Sequence, residues 1–113
     1  MSLAMLVDRL RAAGAEATVA DEPVEQPFFS APGRAILVQG EPVQVFEYPS
    51  PEAAAVDAAR VSADGYAVGT MRPHWIGPPH FYRAGALLVL YLGTHEAVLK
   101  ALAAALGPPF AGN

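Results

Sequence analysis

The stretch Phe81-Tyr82-Arg83-Ala84-Gly85-Ala86-Leu87-Leu88-Val89-Leu90-Tyr91-Leu92-Gly93 decides the fold. From Ala86 to Leu92 every residue is apolar or aromatic, with no alternation. A strand with one wet face alternates, so an unbroken run reads as a strand covered on both faces. Its seven residues lie between two glycines, which is strand length and too short for an ordinary helix. Thr94 then offers a cap, so a helix leaves the end of the strand.

Downstream, Val98, Leu99, Leu102, Ala105 and Leu106 make the buried stripe of that last helix. Gly107-Pro108-Pro109 stops it. Upstream of the central run, Met71 to Gly85 reads as the least regular part of the chain, and Tyr66–Thr70 as a short strand. Ser50-Pro51-Glu52 is a helix start: a cap, a proline at the first position and an acid in the first turn. The helix that follows is alanine-rich to Val61, which suits close approach to a sheet, with Asp57 and Arg60 on its charged side.

Arg34–Gln39 and Pro42–Tyr48 read as a hairpin around Gly40-Glu41. That register pairs Val38 with Val43, Ile36 with Val45 and Arg34 with Glu47. Leu37 and Phe46 point to the other face. Ala15–Ala20 alternates as a half-exposed strand. Residues 21–27, with two prolines, read as an acidic loop. At the start, Leu3, Leu6, Val7 and Leu10 form one helical stripe, capped by Ser2.

The order of elements predicts one α+β domain over residues 1–113: a two-layer sandwich, with an antiparallel sheet of about four to six strands and three helices mainly on one face. The opposite face then carries Phe28, Phe29, Leu37 and Phe46, covered either by loops or by a partner. Residues 1–3 read as a possible leader on a trimmed domain.

Composition narrows the function. The 113 residues contain 53% hydrophobic and 16% charged side chains, which argues against disorder. The net charge of −4 leaves no basic face for phosphates, which argues against nucleic acid. With no cysteine there is no disulfide, thiol nucleophile or thiolate metal site. No apolar run approaches the ~20 residues that span a bilayer, so no transmembrane segment is expected.

The richest chemistry lies in His74-Trp75-Ile76-Gly77-Pro78-Pro79-His80-Phe81-Tyr82-Arg83. Stiff loops place polar tips at low entropic cost, so His74, Trp75, His80, Tyr82 and Arg83 are candidate ligand-binding residues. The competing reading is a structural connection whose aromatics seal the core. Metal binding is disfavoured: His74 and His80, with five residues between them across Pro-Pro, match no compact ligand motif, and His95 sits on another element. No serine stands on a nucleophile elbow, no phosphate loop occurs, and the acidic loop lacks calcium-ligand spacing. No catalytic residue, metal or cofactor is assigned.

The segments Pro78–Gly85 with Tyr91-Leu92-Gly93, Gln44–Tyr48, and Ser62-Ala63-Asp64-Gly65 resemble a group of small uncharacterised bacterial α/β proteins, some of them exported lipoproteins. The resemblance implies an extracytoplasmic domain if the chain is trimmed, and carries over no catalytic residue; a full-length chain would be cytoplasmic. The sequence thus points to a non-catalytic interaction module that self-associates as a homodimer. The alternative is a small-ligand or peptide binder using the 74–83 segment.

Overall fold

The computed structural model describes residues 1–112, the side chain of Asp21 excepted. The elements are α1 (Leu3–Ala12), β1 (Ala17–Val24), β2 (Gly33–Val38), β3 (Glu41–Glu47), α2 (Pro51–Ala58), β4 (Pro79–Ala84), β5 (Leu87–Leu92) and α3 (Glu96–Leu106). The strands form one antiparallel sheet in the order β1-β2-β3-β5-β4. The α+β sandwich and the strand count are those predicted.

β5 explains its own composition. Leu87, Val89 and Tyr91 face one layer, and Leu88 and Leu90 the other. It is an interior strand but not the middle one, which is β3. Its outer neighbour, β4, comes from the stretch expected to be irregular. Pro79 opens β4, the position where a strand tolerates a missing N–H.

On the first face, α1 buries Leu6, Val7 and Leu10, and α3 buries Val98, Ala101, Leu102 and Ala105. Ser2 caps α1 by accepting the Met5 N–H at 3.2 Å. The cap of α3 is His95 rather than Thr94, and its side chain makes no capping bond.

The second face is closed by α2, through Ala54, and by the loop carrying Phe28, Phe29 and Ala31. Phe29 meets Phe28 and Phe46 edge-on, with centroids 4.8 and 4.9 Å apart. Phe28, Phe29 and Phe46 are buried, and only Leu37 of the expected aromatic-apolar set is exposed. The three rings expected on that face therefore lie inside the core.

Several local expectations are corrected. The hairpin turn is Gln39-Gly40, with φ of 52° and 78°, the left-handed pair a tight two-residue turn requires. Val38 thus pairs with Glu41, Ile36 with Val43 and Arg34 with Val45. The slip of two residues leaves every side chain on its predicted face, because the strand repeat is two. β1 continues to Val24, where a loop was expected; an edge strand accepts Pro23, and the register shifts between Val19 and Glu22. The Asp21 side chain lies outside the described residues. α2 ends at Ala58, and Tyr66–Thr70 makes only isolated bridges, Val61–Val68 and Val68–Met71.

The β4 edge is partly covered by the end of the chain. Phe81 N–H donates to the Ala111 carbonyl at 3.0 Å, and the Phe81 carbonyl accepts from Phe110 N–H at 2.9 Å. No helix of the described residues is long and apolar enough to cross a membrane.

Candidate functional site

Strand alternation separates the five predicted site residues. His80 and Tyr82 turn toward α1 and α3, whereas Phe81 and Arg83 turn toward α2. His80 stacks on Tyr91, with centroids 6.1 Å apart, and its Nε2 lies 2.9 Å from the Gly93 carbonyl. A carbonyl can only accept, which assigns the proton to Nε2. Tyr82 is buried in the core, and burial raises its phenol. Trp75 donates its indole N–H to the Gly65 carbonyl at 2.9 Å and packs edge-on against Phe28 and Phe81. His74 is exposed on the preceding loop. The buried part of the segment, Pro79 to Tyr82, closes the core, and alternation sends its side chains to opposite faces of the sheet.

Two polar clusters escaped sequence reasoning. The first is centred on Asp57, predicted to lie on a wet face but buried. Its Oδ2 accepts from Ser30 N–H and Ser30 Oγ, each at 2.9 Å, and from the Tyr48 hydroxyl at 2.7 Å. Arg60 lies 3.5 Å from Oδ1 and donates to the Phe28 carbonyl at 2.7 Å. Burial by itself raises the Asp57 carboxyl; the bonds from Ser30 and Tyr48, with the Arg60 charge, outweigh it and hold it below the usual carboxylate value. Tyr48 is driven well above an ordinary phenol, first by burial and then by its bond to Asp57. The signal available in sequence was the spacing: Asp57 lies three residues from Ala54, on the same side of the helix.

The second cluster is Tyr91. Its hydroxyl donates to Glu41 and accepts the His95 N–H at 3.3 Å. Burial and the Glu41 bond push this phenol up to about 12. In both clusters the polar atoms satisfy one another, and no buried side-chain polar atom among the described residues lacks a partner. Ser30 has a carboxylate beside it and no imidazole. No three His, Asp or Glu side chains among the described residues are grouped to hold a metal.

Arg83 is the exception among the predicted residues. It stands exposed on the wall of a groove of about 630 Å³. Ala55 and Ala58 of α2 with the following Ala59 form one side, and Pro108 and Phe110 the other. Gly85, at φ 57°, turns the chain from β4 to β5 at the end of the groove. Arg11 and Arg60 are both engaged by backbone carbonyls, of Ala17 and Phe28. The Arg83 guanidinium has neither a hydrogen bond nor an ion pair with a described residue. Phe110 keeps 39% of its surface exposed beside it.

Comparison with family models, with curated proteins and with solved structures returns no match.

Proposed function

We propose that this chain is a non-catalytic binding module that takes an acidic, partly apolar ligand in the groove between α2 and the Pro108–Phe110 segment. The observation that carries the reading is Arg83: a cation without a partner among the described residues, on the wall of a groove otherwise lined by alanine, glycine, proline and phenylalanine. Ligand sites combine apolar walls with a few polar groups that fix orientation.

Magnitudes divide the labour. An exposed ion pair contributes only ~0.2–1 kcal/mol, so Arg83 selects the sign and direction of the ligand. Apolar surface contributes ~1 kcal/mol for each ~40 Å² covered, at ~25 cal/mol per Å². The apolar walls therefore add at least as much affinity as the ion pair, which sets the direction.

The test is a titration of the ¹⁵N-labelled chain with octanoate and, separately, with octanol. Octanoate is expected to shift the amides of Ala58, Arg83, Gly85 and Phe110, with a weaker response in Arg83→Gln. Equal responses to acid and alcohol, or silence at Phe110, would sink the reading.

A further inference from the structure

We propose that the natural occupant of this groove is an extended, acid-bearing peptide segment that adds a strand to β4 at Arg83. This rests on the groove reading above and specifies its ligand. β4 is an edge strand whose inner side is paired with β5. Phe81 directs its N–H and carbonyl outward, since both are bonded to the Phe110–Ala111 segment. Arg83, two residues on, directs its own N–H and carbonyl to the same side. No backbone group of a described residue meets them there.

The segment that covers Phe81 cannot finish this edge. The residues preceding Phe110 are Pro108 and Pro109, which have no N–H to give the Arg83 carbonyl. The covering segment therefore stops at Phe81, and the edge beyond it opens into the groove.

A strand added opposite Arg83 would place its facing side chain on the same face as the guanidinium, the face that α2 and Phe110 border. A carboxylate at that position meets Arg83. Side chains two residues away on the same strand reach along the apolar walls. β-Branched residues fit such an extended ligand best. A second copy of this chain is the weaker occupant, because two β4 edges paired about Arg83 set two guanidiniums opposite each other.

The probe is a library of random decapeptides displayed on their own mRNA and selected against the intact chain. Selected peptides are expected to carry Asp or Glu within a run of Val, Ile or Thr. On binding, the Arg83 amide proton should exchange at least ~10-fold more slowly. Methylating the peptide nitrogen opposite Arg83 should weaken binding ~10-fold, the effect of one lost backbone hydrogen bond. R83Q, checked for folding by circular dichroism, should lower affinity several-fold and remove the acid preference. Peptides indifferent to N-methylation at every position would overturn strand addition, and so would an empty selection while octanoate still shifts Phe110. If octanoate also leaves Phe110 unmoved, the groove reading falls with it.

Discussion

The Tyr48 hydroxyl donates to Oδ2 of Asp57 at 2.7 Å, and this one bond ties the end of β3 to the inner side of α2. The same oxygen holds Ser30 by its N–H and its hydroxyl. Asp57 thus fastens the loop that carries Phe28 and Phe29 over the second sheet face. The aromatic face is closed by this carboxylate as well as by its own rings.

Removing the carboxylate should therefore cost more than removing any single donor. Asp57→Ala leaves the Ser30 N–H and the Tyr48 hydroxyl without an acceptor, and is expected to cost about 2–4 kcal/mol. Tyr48→Phe removes one charge-assisted bond and should cost about 1–2 kcal/mol. Urea midpoints for both variants and for the double variant measure this. In the double variant the costs should fall short of additive, because the two residues share one bond. Simple additivity would mean that Tyr48 and Asp57 do not cooperate.

The same hub makes stability sensitive to acid. The folded-state carboxyl of Asp57 lies below its unfolded value, so the unfolded chain takes up the proton first as pH falls. The contribution is complete above the unfolded carboxyl pKa of ~4 and is lost as pH drops through the lower folded value. Urea unfolding between pH 6 and 3 should lose stability in the native chain. Asp57→Asn should flatten that slope. An unchanged slope would assign the acid sensitivity to other carboxylates.

Sequence patterning gave the faces and missed the ends. The α1 stripe, the two-sided burial of β5 and the alternation of β2 and β3 are repeats, and burial follows them directly. The turn at Gln39-Gly40 depends on a left-handed φ at a glutamine, which composition does not advertise. β4 was hidden because Pro79 and its histidine-aromatic sequence resemble a loop, and its strand character comes from pairing with β5. Asp57 was misplaced because a charged residue on an alanine helix defaults to solvent; only the distant Ser30 and Tyr48 make its burial tolerable. The site segment is divided, since a strand sends neighbouring side chains to two faces. Of its five residues, Arg83 alone reaches the groove.

The tyrosines predict an alkaline limit. Tyr48, Tyr82 and Tyr91 all ionise above the ordinary phenol value of 10.0. For groups raised in this way, stability is complete below the unfolded pKa and is lost as pH rises toward the folded values. Absorbance at 295 nm should therefore show these three phenols ionising late, together with unfolding, with Tyr91 near 12 if the fold persists that far. Tyr91→Phe should remove one late phenol. Complete ionisation of all tyrosines by about pH 10.5 in a folded chain would contradict their burial.

Trp75 reports on the loop that joins α2 to β4. Its ring is half-buried against Phe28 and Phe81, and its N–H is held by the Gly65 carbonyl. Its emission should be blue-shifted from that of free indole and only partly quenched by acrylamide. Phe28→Ala removes one of the rings and should shift emission to the red while raising quenching. Zinc should leave the signal unchanged, because His74 is exposed on the loop, the His80 ring is bonded to Gly93, and no three His, Asp or Glu side chains among the described residues are grouped to hold a metal. A zinc-dependent shift that vanishes in His80→Ala would mean that the ring leaves Gly93 to bind metal. The β4–β5 end of the sheet would then have to rearrange around it.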